Sequence, residues 1–198
     1  MATETTQRPD RTVMTPGALR VREAAGRLFY ERGIHAVGVD LIAAEAGVTK
    51  KTLYDRFGSK DGIVVEYLAE RDDRWRALLA DRVEAAGSPS DRVRAVFDAA
   101  EEWAGEYSPR GCSMVNAHAE ISDPAHPAFA LIEEAKRWML SRFTELAADV
   151  APESAAELGR SLLLLYEGAL VAHGMRLFDG AFAAARDRAA ELLSRAAA

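Results

Sequence analysis

A single cysteine, Cys112, in 198 residues excludes an internal disulfide and agrees with a reducing compartment. No apolar run reaches the roughly 18 residues that a membrane span requires, and no signal peptide precedes the first helical pattern. A cytoplasmic protein with no membrane partner is therefore expected. Histidine is scarce too. The four stand at 35, 118, 126 and 173, none in the i, i+4 relation of a helical metal site. There is no glycine-rich phosphate loop and no nucleophile elbow, and the acidic residues are scattered as surface charge. No catalytic residue, metal ligand or cofactor is expected, and an enzyme is not. Strand patterns and internal repeats are also missing. So is an overall positive charge: 25 Lys and Arg face 31 Asp and Glu, a net −6. A protein that coats nucleic acid nonspecifically would be cationic throughout.

The charge that is present is unevenly placed. Residues 1–62 hold 10 basic against 8 acidic side chains, and the remainder holds 15 against 23. Positive character confined to one end of an acidic chain favours a site-specific binder. The length admits one large domain or two small ones, with apolar content ample for a core.

The most informative stretch is Val39 to Phe57, VDLIAAEAGVTKKTLYDRF. Val39, Ile42, Ala43 and Ala46 recur at threes and fours, so they share one helical face. Gly47 stops that helix, since glycine tolerates the left-handed backbone of a sharp turn, and Val48 is expected to plug the space between two helices. Thr49 is a suitable N-cap. In the next helix only Leu53 and Phe57 are clearly apolar, which predicts a narrow buried stripe and a broad outward surface. Opposite that stripe lie Lys51, Thr52 and Asp55, with Lys50 in the first turn and Tyr54 on the flank. Short polar and cationic groups near a helix N-terminus suit a major groove. By itself the pattern also fits two amphipathic helices of an all-helical core.

The flanking segments decide between these readings. Leu19, Val21, Ala25, Leu28, Phe29 and Tyr30 predict a preceding helix of about 15 residues, with Arg20, Glu23, Arg27 and Glu31 on its other face. Glu23 with Arg27, and Arg27 with Glu31, are spaced for i, i+4 pairing. Downstream, Gly58 turns the chain, Ser59 caps, and Lys60 opens a fourth helix.

Residues Pro16 to Leu68 resemble the DNA-binding domain of the TetR family of transcriptional regulators. The segment AGVTKKTLYDRFGSKDGIV follows the family pattern A-G-V-[ST]-x-x-x-[LI]-Y-x-[HYR]-F-x-[SN]-K almost throughout. The resemblance implies that Lys50, Lys51, Thr52 and Asp55 face base edges and that Thr49, Tyr54 and Lys60 hold phosphates. Chemistry supports the division: lysine donates to guanine, aspartate accepts from cytosine, and tyrosine and lysine at the edges suit backbone oxygens. Arg56 serves either purpose or pairs with Asp55 or Asp61. Two positions depart from the family. Gly38 stands where Ser or Thr is usual, leaving a backbone N–H at a helix start for phosphate. Lys51 replaces a small residue or proline, which points to an altered sequence preference.

Beyond this head the chain reads as helices only. They are expected through residues 66–86, from 90 or 91 to a stop before Gly105 or Ser108-Pro109, at 111–121, at 128–150, from 153 to about 178, and at 181–195, broken at Gly87-Ser88-Pro89 and at the Asp123-Pro124 and His126-Pro127 pairs. The fold class is all-α with about nine helices: an N-terminal three-helix DNA-binding domain with helix-turn-helix, and a C-terminal ligand-binding and dimerisation domain. The expected divisions are an arm at 1–15, the DNA-binding domain at 16–62 and the effector body at 63–198. Arg8 and Arg11 in the arm either track a minor groove or belong to a solvated tail.

Four consecutive leucines, Leu162 to Leu165, surround one helix, and Gly168, Ala169, Ala172 and Gly174 permit close approach of another backbone. Ala183, Ala184, Leu192 and Leu193 form a further stripe. The family resemblance implies a homodimer through these last two helices, and the residues alone also allow a central monomer helix. A mostly apolar cavity with polar anchors is the default effector site. Its candidate lining is Trp103, Tyr107, Met114, Asn116, His118, Trp138, Tyr166 and His173, each of which is equally an ordinary helix-packing residue. The functional expectation is a repressor released from a palindromic, double-stranded DNA operator by a small-molecule effector. Two alternatives stand beside it: a helical ligand-binding or scaffolding protein without operator binding, and a redox-sensing regulator built on Cys112, which follows Arg110-Gly111 at a helix start.

Overall fold

In the computed structural model, which describes residues 14–197, the described residues form nine α-helices and no strand. Arg8 and Arg11 lie outside them. The order is α1 Pro16–Arg32, α2 Val39–Ala46, α3 Lys50–Phe57, α4 Lys60–Glu84, α5 Pro89–Tyr107, α6 Ser113–Glu120, α7 Pro127–Ala148, α8 Ala155–Gly174 and α9 Ala181–Ala196. None of these helices is long and apolar enough to cross a membrane.

The residues divide into two compact units. The first comprises 14–72 and 113–134, and the second 73–112 and 135–197. In the first, Thr15 caps α1 by accepting from Ala18 N, and Pro16 occupies the first helical turn, where its missing N–H costs nothing. Helix α1 then buries Val21, Ala25, Leu28 and Phe29. Gly26 brings α1 close to α4, since a Cβ there would lie 3.3 Å from the Tyr67 ring. The Arg27 guanidinium reaches Glu45 on α2 at 2.8 Å, a partner between helices beyond the two i, i+4 pairs expected within α1.

Two features of this unit were not evident from the linear order. Helix α6 belongs to it: Met114, Ala117 and Ile121 are buried, and the Arg71 Nε donates to Ser113 Oγ at 3.1 Å. The Glu120 carboxylate accepts from the His35 backbone N–H at 2.8 Å. Further on, Ala128 N–H donates to His126 Nδ1 at 3.1 Å, which leaves the Nε2 proton facing Asp61 at 3.3 Å.

The second unit packs the C-terminal part of α4, with α5, the larger part of α7, α8 and α9. Its interior is Leu79, Val96, Phe97, Phe143, Leu162, Phe182 and Leu193, with ring contacts such as Phe97–Phe143 at 5.9 Å. Gly159 lets α8 approach α7 so closely that a Cβ there would lie 2.9 Å from the Thr144 Cα. The eighth helix is shorter than its apolar pattern predicts. A 3-10 turn at Pro152–Ser154 precedes it, and it ends at Gly174 rather than near Phe178. Arg176 beyond that end takes a positive φ of 54°, which does not continue a right-handed helix. The inward face of α9 carries Phe182, Ala185, Ala189 and Leu193, while Ala184 is exposed and Ala183 and Leu192 are half-buried.

Gly62 fixes the junction of α3 and α4. A Cβ there would run into the Phe57 carbonyl oxygen, which is backbone and cannot swing aside. Gly62→Ala is expected to lower stability by about 1–3 kcal/mol, read as an earlier urea midpoint. An unchanged midpoint would show that the junction can relax.

Candidate nucleic-acid interface

The turn between α2 and α3 follows from local chemistry. Gly47 sits in the left-handed region at φ 61°, ψ 41°, and its N–H and that of Val48 close the last turn of α2 on Ala44 and Ala43 carbonyls. The Arg20 Nε caps the same end by donating to Ala46 O at 3.0 Å. Thr49 then opens α3, its hydroxyl accepting from Thr52 N at 3.1 Å. Leu53 and Phe57 are the buried residues of α3. Val48 is half-buried between the helices.

This anchoring leaves one face of α3 outward. Lys50, Lys51, Tyr54, Asp55 and Arg56 are exposed, Tyr54 to 46%. Thr52 is half-buried, its hydroxyl 3.0 Å from that of Thr49. Lys60 is half-buried at the start of α4, where Ser59 Oγ accepts from Gly62 N at 3.1 Å. The exposed cations rest on carboxylates: Lys50 on Asp40 of α2, and Lys51 on Asp55 at 2.8 Å. Asp55 and Asp61, the two candidate partners of Arg56, face Lys51 and His126 respectively. Exposed pairs of this kind are worth roughly 0.2–1 kcal/mol. Releasing either lysine to a nucleic acid is therefore cheap. Gly38 is the N-cap of α2 with no side-chain bond, and nothing lies within 4 Å of where its Cβ would be. The α2 N-terminus is thus open to an approaching phosphate.

The eight candidate effector residues divide between the two units. Met114, Asn116 and His118 lie in the first unit, where Met114 is buried and His118 is exposed, stacked at 5.4 Å on Phe129. The other five lie in the second unit. Trp103 meets Tyr107 at 4.7 Å, and Trp75 bridges Trp103 at 6.0 Å to Tyr166 at 6.2 Å. Arg74 lies over both Trp103 and Tyr107, and Arg76 over Trp138 at 4.3 Å. His173 stacks on Phe182 at 5.4 Å. A separate open groove of about 500 Å³ is lined by Val83, Glu84, Arg92, Arg142, Glu145 and Asp149, among others, and by none of the eight. Its mixed charge differs from the apolar lining expected of an effector site.

A short helix anchored on two residues, turned out of a glycine-capped partner and presenting lysines beside its N-terminus, defines a helix-turn-helix protein. Residues 21–67 match the family described as "Bacterial regulatory proteins, tetR family". A TetR-family transcriptional regulator from Streptomyces coelicolor has the same fold, with a TM-score of 0.86 and 34% identity over 92% of this chain and 97% of that one. The chain belongs to the TetR family, whose members are DNA-binding regulators and not enzymes. Among curated relatives it is similar to the transcriptional activator FasR of Mycolicibacterium smegmatis, 29% identical over 101 residues, 51% of this chain and 46% of that protein. It is also similar to the repressor KstR2 of Mycobacterium tuberculosis, 36% identical over 80 residues, 40% of each. The chain thus matches less than half the length of these curated relatives.

Thr49→Ala removes the hydroxyl that holds Thr52 N. The expected cost is about 1 kcal/mol, with faster amide exchange confined to the first turn of α3. Exchange spread evenly over the head would contradict a local capping role.

Proposed function

We propose that this chain is a homodimeric, sequence-specific repressor that binds a palindromic operator and releases it when a small-molecule effector enters the helical body. The observation that carries the reading is the outward face of α3, where Lys50, Lys51, Tyr54 and Asp55 are exposed on a helix held by Leu53 and Phe57. Lys50, Lys51, Thr52 and Asp55 read base edges; Thr49, Tyr54, Lys60 and the Gly38 backbone N–H fix register on phosphates. Residues 16–62 are the DNA-binding part, and 63–198 hold the effector and the partner subunit.

One α3 of 8 residues offers little affinity, and two set about one DNA turn apart, roughly 34 Å, read an inverted repeat. A dimer face is supported by α8. Leu164, Val171 and Met175 are exposed to 73%, 46% and 65% at spacings of seven and four, continued by Leu177 and Phe178. So large an apolar stripe marks a protein partner. The effector is assigned to the second unit, among Trp103, Tyr107, Trp138, Tyr166 and His173. Helix α4 carries residues of both units and is the proposed link between effector and DNA head. An effector acts this way only by differential affinity for two arrangements. Release by effector, rather than recruitment, follows the repressor KstR2 over the activator FasR, with the higher identity of the two.

Lys50→Ala and Lys51→Ala are each expected to weaken operator binding by about 1–3 kcal/mol where the lysine reads a base, measured by titration of duplex DNA at fixed salt; full retained affinity would remove these residues from the interface. Leu164→Glu is expected to convert the dimer to monomer in sedimentation equilibrium with the helical content intact. A variant that stays dimeric would place the partner elsewhere.

A further inference from the structure

Two charges on α3 are placed against the interests of the helix. Lys51 stands in its first turn and Asp55 one turn later, so the cation sits toward the positive end of the helix dipole and the anion toward the negative end. Paired i, i+4, they also run in the weaker order, lysine before the acid. Their side chains are 82% and 55% exposed, so the ion pair itself adds little stability. The neighbouring Lys50 is drawn across the turn to Asp40 of α2 instead. Helix stability therefore does not account for the Lys51–Asp55 pair. Its position does: the pair lies on the side of α3 opposite the buried Leu53 and Phe57, the side turned outward.

The donors and acceptors of the pair can be counted. The ammonium has three N–H groups and gives one to Asp55 Oδ2 at 2.8 Å, which leaves two. The carboxylate keeps further acceptor sites. The outward face of α3 thus presents a donor and an acceptor side by side. In the major groove, the facing O and N atoms of a base pair hydrogen-bond to each other and so stand about 2.9 Å apart, nearly the same spacing. That match holds for G·C and for A·T, and the atoms beside them decide between the two. A G·C pair offers the ammonium both O6 and N7, and offers the carboxylate the cytosine amino proton that base pairing leaves free. An A·T pair offers the ammonium one O4 beside the thymine methyl, and sets the lone pair of adenine N7 near the carboxylate.

We infer that Lys51 and Asp55 act as one unit that reads a single G·C pair in each operator half-site, lysine on guanine and aspartate on cytosine. This rests on the regulator reading above and names the base pair that its α3 recognises. Asp55 is the discriminating member. A carboxylate brought against the phosphates weakens binding to every sequence, and the loss is offset only where a base-edge N–H meets it. Lys51 neutralises it on approach and supplies the guanine contacts.

Selection of random duplex DNA by the full chain supplies the half-site. It is expected to contain one G·C pair whose enrichment disappears with Asp55→Ala while the other positions stay enriched. Asp55→Ala is also expected to bind DNA carrying A·T at that position more tightly than the wild type does. The preference for G·C over A·T then falls by about 5- to 150-fold. A residue that only shaped the helix would weaken both. Modified bases separate the two contacts. Guanine lacking N7, as 7-deazaguanine, is expected to weaken the wild type and leave Lys51→Ala unaffected. N4-methylcytosine, whose methyl takes the place of the groove-facing proton, is expected to weaken the wild type and leave Asp55→Ala unaffected. Both positions are exposed and alanine favours the helix, so both variants are expected to fold, as checked by circular dichroism. An enriched half-site in which no G·C preference depends on Asp55, or modified bases that weaken wild type and variants alike, would overturn the pair as a reader and leave the regulator reading standing. No enriched sequence with the wild type would overturn both.

Discussion

The constraint on which the DNA head depends is the burial of two side chains four residues apart on an eight-residue helix. Leu53 is fully buried and Phe57 nearly so, and no other residue of α3 is. So short a helix is not stable in isolation. Its persistence is owed to those two anchors, to the Thr49 cap and to the fixed turns at either end. With a wider apolar stripe the helix would sink into the core and lose its outward surface. With a narrower one it would not hold its angle.

The turns carry the orientation. Gly47 closes α2 in the left-handed region, and Gly58 leaves α3 with φ 71° and its N–H on the Tyr54 carbonyl. Gly62 then lets α4 start within reach of Phe57. Three glycines and two hydroxyl caps, Thr49 and Ser59, thus place one short helix with little dependence on distant residues. That locality is why this region could be read from residue order alone. The A-G-V-T turn, the Leu53–Phe57 spacing and the Ser59 cap all depend on neighbours within a few positions, and all appear in the structure as the spacing predicts.

What the sequence left obscure depends on long-range partners. Nothing local connects Glu120 with His35, or His126 with Asp61, and so the membership of α6 in the first compact unit was not legible. Alanines on both faces of α9 make its pattern ambiguous, and Phe182, Ala185, Ala189 and Leu193 are the residues that turn inward. The four leucines of α8 predict burial on more than one side, by a core or by a second chain, and Leu164 is 73% exposed. An apolar run reports only that water is unfavourable, and a second chain satisfies it as well as a core does. Aromatic side chains pack against one another in any helical body, so their presence does not distinguish a pocket from a core. The Lys136 contact with Cys112 joins positions 24 apart, and no local pattern signals it.

Whether the exposed face of α3 reads a DNA sequence is tested most directly by selection of the purified protein against random duplex DNA at physiological salt. A sequence-specific dimer enriches an inverted repeat with half-sites about one helical turn apart. Retention of DNA with no sequence in common, or no retention at all, would contradict that role.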